Sequence, residues 1–284
     1  MSPISSELQA KRAALQERLS GAGKLLVAFS GGVDSSYLAW AAKQALGDRT
    51  LAVTAVSPSY PRDHRDMAER VVADFGIPHK FIDTREMESA AYRRNAPDRC
   101  YHCKSELFDR MKIVREQLGF ESVAYGVNTD DTGDFRPGHR AADERGVLSP
   151  FLEVGMSKQD IRDLSRDVGL PTADLPSSAC LSSRLPYGTE VTTERLSQVE
   201  EGERRLRSLG FMQVRLRHHG ELARVEVEPS ELPKALAPAM ASEIAKAIKP
   251  LGFKYVSLDL EGYRTGSLNE VLFIHRDPPD SAGS

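Results

Sequence analysis

The stretch that most limits what this chain can become is K24-L-L-V-A-F-S-G-G-V-D-S-S, followed by Y-L-A-W-A-A-K-Q-A-L up to Gly47. A near-continuous apolar run of this kind suits a strand covered on both faces, and the following apolar-rich segment reads as a helix stopped by glycine. Between them, Gly31 and Gly32 have access to backbone angles closed to other residues, so that successive N–H groups can turn toward one anion. The start of the helix adds unpaired donors, and Ser30, Ser35 and Ser36 add hydroxyls. Asp34 would repel phosphate unless a divalent cation intervenes, which points to Mg2+ bridging a polyphosphate. A capped helix start without ligand is the bland alternative, but two glycines and three serines exceed what capping needs. The G-K-[ST] ending and the G-x-G-x-x-G spacing are both absent, which weighs against γ-phosphate transfer and hydride transfer.

The same alternation continues downstream. Strand-like runs at 51–56, 80–83 and 122–126 interleave with helical runs at 62–75 and 103–118, after an opening helix at 7–20. The expected fold class is therefore α/β, a parallel sheet with helices on both faces. Residues 127–150 read as a long functional loop, 157–168 as a helix, and 174–188 as an aperiodic segment too long for a mere connector. From 189 the pattern changes to helix 193–208, strands 212–218 and 222–228, helix 231–247 and strand 253–260. A first domain over 1–188 and a smaller α+β domain over 189–284, ending in a disordered tail, are expected.

Only three cysteines occur in 284 residues, two of them in R99-C-Y-H-C-K104 and the third in A179-C-L-S-S-R184. The N-terminus carries charges where a signal peptide needs an apolar core, and no apolar run of about 18 residues exists, so a cytoplasmic protein is expected. In a reducing compartment three cysteines favour metal binding or reactivity over a disulfide framework. Cys100 and Cys103 can converge on one soft metal, and Cys180 makes a third ligand. One coordination position stays open, which suits chemistry better than structure. In a [4Fe-4S] cluster held by three cysteines, the fourth iron is available for an external hydrosulfide. Zinc with His102 or a substrate as fourth ligand, a redox C-x-x-C and three unrelated structural cysteines remain alternatives.

S-G-G-V-D-S-S resembles the signature of the PP-loop ATP pyrophosphatases, which adenylate a substrate oxygen and release pyrophosphate. That resemblance implies that Asp34 and the loop hold Mg-pyrophosphate, with adenine near Ser57. P97-D-R-C-Y-H-C-K104, Y125-G-V-N-T-D-D131 with R136-P-G138, and A179-C-L-S-S-R-L-P-Y-G188 together resemble the LarE family of ATP-dependent sulfur transferases, over about residues 20–265. LarE proteins convert the carboxylates of a pyridinium dicarboxylate mononucleotide into the thioacids of the nickel-pincer cofactor of lactate racemase. In one mode of the family a single loop cysteine gives up its sulfur and becomes dehydroalanine. In the other, a triplet like Cys100, Cys103 and Cys180 binds a [4Fe-4S] cluster and turns over repeatedly, and this sequence has the triplet.

Further candidates follow from position and from that resemblance. Gly126, Asn128, Asp130 and Asp131 occupy a strand-exit loop able to order Mg2+ or ribose, or simply to form an Asx turn. Arg136 and Arg184 are candidates for clamping phosphate or charge developing at an acyl adenylate. Arg215 and Arg217 alternate in M-Q-V-R-L-R and so share a strand face; the resemblance implies that they and Glu200 line a substrate route. A solvated face with salt bridges explains the pattern too, and Glu226 and Asp259 are weaker candidates of the same kind. The family further implies a homotrimer or hexamer, and a sulfide source or cysteine desulfurase as partner. Net charge is −3, and 184–217 holds seven arginines against five glutamates, so nucleic acid is an unfavoured partner. A PP-loop tRNA thiolase with a three-cysteine cluster, and a nucleotide-sensing or metal-trafficking protein, are the rival functions.

Overall fold

The structure is a computed structural model that describes residues 4–131, 137–176 and 179–264. It divides into two compact units, Met1–Cys180 and Leu181–Ser284. The boundary drawn from sequence, at 188, falls inside the second.

The first unit is the expected α/β layer. Its helices are α1 (Ser6–Ser20), α2 (Val33–Leu46), α3 (Arg62–Asp74), α4 (Ala90–Arg93), α5 (Arg99–Leu118), α6 (Pro137–Asp143), α7 (Pro150–Glu153) and α8 (Lys158–Asp167). Its strands β1 (Leu25–Ala28), β2 (Thr50–Val56), β3 (His79–Asp83) and β4 (Ser122–Tyr125) form a parallel sheet in the order β3-β2-β1-β4. β1 pairs on one side with β2 (Val27 opposite Ala52) and on the other with β4 (Val27 opposite Ala124). Its side chains alternate between two cores: Leu25 and Val27 pack with α1 and α2, and Leu26 packs with Phe108 and Met111 of α5. That two-sided burial explains why the strand is apolar throughout. The outer edge of β4 is covered by residues 147–148, through Leu148 N–H to Val123 O at 2.8 Å and Tyr125 N–H to Leu148 O at 3.1 Å.

Two expectations change. The cysteine-bearing helix begins at Arg99, not 103, so Cys100 and Cys103 lie in its first turn and a half. The segment read as a loop over 127–150 contains α6 and the start of α7, each too short to show helical periodicity.

The second unit holds α9 (Thr193–Ser208), β5 (Val214–His219), β6 (Leu222–Val227), α10 (Leu232–Leu236), α11 (Pro238–Ile248) and β7 (Tyr255–Leu258). β5 and β6 are antiparallel, β6 and β7 parallel. The helix expected over 231–247 is broken at Ala237, where Pro238 restarts it as α11. No described helix is long and apolar enough to cross a membrane.

Candidate functional site

A cleft of about 170 Å3 opens where β1, β2 and β4 end. Ser30, Gly32, Asp34 and Ser35 line one wall, Ala55 and Tyr60 another, and Tyr125, Gly126 and Lys104 a third. In a parallel sheet this is the edge at which ligands bind. Gly31 has φ +74°, and a Cβ there would stand 2.9 Å from His64 O, so both conformation and space demand glycine. Gly32 is different: it is the N-cap of α2 in ordinary extended geometry (φ −82°), so only one of the two glycines uses the special region. The Ser35 hydroxyl accepts from Ser30 N–H at 3.1 Å and donates to Gly32 O at 3.1 Å, which knits the loop closed, and Tyr60 Oη donates to Ser30 O at 3.1 Å. Ser36 is fully buried, with no partner for its hydroxyl among the described residues.

Asp34 is held from two sides. Asn128 Nδ2 donates to Asp34 Oδ1 at 3.3 Å across 94 residues, and Lys158 Nζ forms an ion pair with Asp34 Oδ2. Asn128 is itself fixed in the Asx turn anticipated for this loop, its Oδ1 accepting from Asp130 N–H at 3.0 Å while its N–H donates to Asp131 Oδ2 at 3.1 Å. Asp130 Oδ2 in turn accepts from Lys158 N–H at 3.0 Å. Gly126 lies so close to the start of α2 that a Cβ would be 3.0 Å from the Asp34 carbonyl carbon and 3.1 Å from Ser35 N. Ser57, past the end of β2, shares a hydrogen bond of 2.9 Å with Ser59, whose hydroxyl donates to buried Glu86 at 3.1 Å.

Cys100, Cys103 and Cys180 all belong to the first unit, and none forms a disulfide. Desolvation raises the Cys103 thiol well above its ordinary value, and the neighbouring Cys180, Glu86 and Cys100 push it further. The Cys100 residue reaches the surface, yet desolvation of its sulfur raises that thiol also, with Arg99 opposing and Cys180 adding to the rise. Among the described residues no group of three or more His, Cys, Asp or Glu side chains is gathered closely enough to hold a metal ion, so the structure does not bring Cys100, Cys103 and Cys180 together as the metal-binding triplet expected from sequence. Arg99 is buried and donates to Asn95 Oδ1; Asn95 has φ +54°, alone in this among the described non-glycine residues. His102 pairs with Asp98 at 3.2 Å along the helix.

Arg184, Glu200, Arg215 and Arg217 belong to the second unit. Arg184 is 1% exposed and forms a two-pronged bridge to Glu203, at 2.8 and 3.1 Å. Glu203, also buried, accepts in addition from Leu216 N–H at 3.2 Å and Arg207 Nη2 at 3.2 Å. Arg217 makes a second two-pronged bridge, to Glu226 at 2.9 and 2.7 Å, and donates to Ser183 O at 3.1 Å. Arg215 stacks on Tyr263 with 5.0 Å to the ring centre; desolvation and then repulsion from Arg184 lower its pKa to about 10. Arg224 joins Glu226 at 3.0 Å and Asp259 at 3.6 Å. Glu200 lies half-buried on α9. Arg136 falls outside the described residues.

Three site residues escaped the sequence reading: Lys104, Tyr60 and Lys158. Lys158 left a signal. It occupies the first position of α8, behind a Ser157/Asp160 capping box, where the helix dipole disfavours a cation. A lysine in that place needs an anion from elsewhere, and Asp34 supplies it.

The profile of the asparagine synthase family matches residues 9–115. An uncharacterized protein of Synechocystis is 42% identical over 93% of this chain and 99% of its own length. The pyridinium-3,5-bisthiocarboxylic acid mononucleotide synthase of Lactiplantibacillus plantarum is 33% identical over 93% of this chain and 96% of its own. A tRNA-specific 2-thiouridylase of Azorhizobium caulinodans is 31% identical over 55% of this chain and 49% of its own. With the phosphate loop, the parallel sheet and these relatives in place, the chain is an ATP-dependent enzyme of the PP-loop pyrophosphatase superfamily, and it belongs to the family that contains the L. plantarum synthase.

Proposed function

We propose that this protein is an ATP-dependent sulfur transferase that adenylates a carboxylate and replaces one of its oxygens with sulfur. The observation that carries the reading is the cleft itself: one cavity is lined by the S-G-G-V-D-S-S loop and by Lys104, the residue directly after Cys103. In this reading the nucleotide and the C-x-x-C thiols are served by the same end of the sheet.

In this reading the backbone donors of 30–36 and the Ser30 and Ser35 hydroxyls take the pyrophosphate end of ATP, and Asp34 with the Asn128 and Asp131 loop holds Mg2+. A carboxylate oxygen of the acceptor attacks the α phosphorus, the Pα–O bond breaks, and pyrophosphate leaves. A sulfur nucleophile then attacks the acyl carbon, and AMP departs with the electron pair of the C–O bond. ATP is spent because AMP is a good leaving group where oxide is a poor one.

The three-cysteine pattern of the sequence, C-x-x-C plus Cys180, supports an iron–sulfur cluster, and Arg99 and Lys104, which oppose the rise of the Cys100 thiol, would offset thiolate charge. Cys100, Cys103 and Cys180 would hold a [4Fe-4S] cluster, whose open iron supplies a hydrosulfide that is nucleophilic at neutral pH. Without a cluster, Cys180 acts sacrificially: its thiolate takes the acyl group, and loss of its α proton expels the thiocarboxylate and leaves dehydroalanine. The acceptor is a pyridinium dicarboxylate mononucleotide, supported by the product named for the L. plantarum relative. The working form is a homotrimer or hexamer fed by sulfide or a cysteine desulfurase.

A tRNA thiolase is favoured by the likeness to the thiouridylase, but Arg184 and Arg217 are engaged by buried glutamates and so do not make the extended basic surface tRNA needs. Anaerobic purification with iron and sulfide analysis, followed by assay of AMP and thiocarboxylate, tests the proposal. About four irons per chain and multiple turnovers lost on replacing any of the three cysteines are expected. One turnover retained in Cys100→Ala and Cys103→Ala and lost in Cys180→Ala supports the sacrificial route instead. ATP binding without AMP formation from any carboxylate sinks the enzymatic proposal and favours a nucleotide sensor.

A further inference from the structure

Lys104 is the one cation among the described residues lining the cleft, and Asp34 the one anion. A nucleotide's phosphates would enter this space carrying several negative charges, and a single lysine facing a phosphate-binding loop has an evident use for them. The side chain is well placed. Its ammonium lies over the rings of Tyr125 and Phe108, 5.4 and 5.7 Å from their centres, where the ring faces attract a cation. Its stem is gripped by α6: a Cβ on Gly138 would stand 3.0 Å from Lys104 Cγ, so the backbone there packs directly on the lysine. Lys104 is also one turn beyond Cys100 and adjacent to Cys103 on α5, and it acts electrostatically on both.

From this placement we infer that Lys104 is the cation that binds the phosphate of the nucleotide in the cleft, and that it ties the helix bearing Cys100 and Cys103 to nucleotide occupancy. The inference rests on the nucleotide-binding part of the proposed function and on no step of sulfur transfer. With the cleft empty, the ammonium rests on aromatic faces. When phosphate enters, a charge-assisted hydrogen bond replaces that weaker contact, and the first turns of α5 are pinned from their cleft side. The nucleotide would thereby order the thiol-bearing helix before sulfur is called for.

The test uses the full-length protein and three probes: ATP, AMP and adenosine, by titration calorimetry. Lys104→Met keeps the stem and removes the charge; Lys104→Arg keeps the charge. Lys104→Met is expected to weaken ATP and AMP by roughly 10–100-fold, the range of one charge-assisted contact, and to leave adenosine within about twofold. Lys104→Arg is expected to recover most of the loss. Hydrogen exchange along 99–108 should slow on adding saturating ATP to the wild type and not to Lys104→Met. Equal weakening of adenosine and ATP would reduce Lys104 to a packing residue, and ATP affinity within twofold of wild type in Lys104→Met would overturn the inference outright. Wild-type protein that binds adenosine and ATP alike also overturns it, whereas wild-type protein that binds neither removes the nucleotide reading beneath it.

Discussion

Replacing Glu203 by glutamine separates two uses of Arg184, as an internal strut and as a clamp on substrate. Glu203 is 2% exposed and neutralises a guanidinium that is itself 1% exposed, through two hydrogen bonds, while also accepting from Leu216 N–H and Arg207. Glutamine keeps the size and removes the charge, so the Arg184 cation stays buried without its carboxylate. Breaking one side of a buried pair costs about 3–5 kcal/mol, whereas replacing both partners by apolar groups of similar volume is often close to neutral. With a urea slope of about 2 kcal/mol per M, Glu203→Gln should lower the unfolding midpoint of the second unit by roughly 1.5–2.5 M. Arg184→Met/Glu203→Leu should lie nearer the wild type than Glu203→Gln. Circular dichroism reads the transition, and fluorescence of the sole tryptophan, Trp40, reports separately on the first unit. Acid supplies a second axis. Desolvation raises the Glu203 carboxyl, but Arg184 outweighs it, so the folded-state pKa lies below the ordinary value. Its stabilisation is therefore complete above the unfolded pKa of about 4.3 and disappears as pH falls through the folded value, a loss the double variant should not share. A midpoint for Glu203→Gln within about 0.5 M of wild type, or a double variant as unstable as the single, would refute this reasoning. A stable double variant that no longer transfers sulfur would give Arg184 to the substrate.

Two further outcomes are expected. Lys158→Met should lower kcat/KM for ATP-dependent AMP formation by about 10²-fold, because Asp34 loses the ammonium that fixes its carboxylate in the cleft, with a melting temperature close to wild type. Steady-state kinetics beside a thermal scan check it. Gly126→Ala should raise the KM for ATP about tenfold, because its methyl group would displace the Asp34–Ser35 backbone by a few tenths of an ångström, and should destabilise by about 1–3 kcal/mol. Normal KM in a folded Gly126→Ala protein would mean that the start of α2 yields without consequence.

The strand–loop–helix at 25–46 was legible because everything that makes it is local: an apolar strand, glycines, small hydroxyls and a helix within about twenty residues. So was the two-sided burial of β1, written in its unbroken apolar run. The partners of the loop were not legible. Lys158 reaches Asp34 across 124 residues, and its position against the α8 dipole gains meaning only once an anion is known to face it. The arginines on β5 were visible as a pair sharing a face, and the alternation was correct. Which carboxylates they meet depends on strand register, which sets Arg217 diagonally against Glu226, and on the packing of α9, which brings Glu203 to Arg184. The short helix α6 falls inside the segment expected to be loop because seven residues complete too few turns to leave a period.

The central place of β1 in the sheet has a consequence for how the protein is made. Its neighbour on one side is β2, made soon afterwards, and on the other β4, followed by the asparagine and then the lysine that hold Asp34. A growing polypeptide on the ribosome exposes its glycine-rich turn long before position 158 has left the exit tunnel. Until then the carboxylate has no ammonium beside it, so the ion pair that fixes Asp34 can form only after all four strands of the sheet have been made.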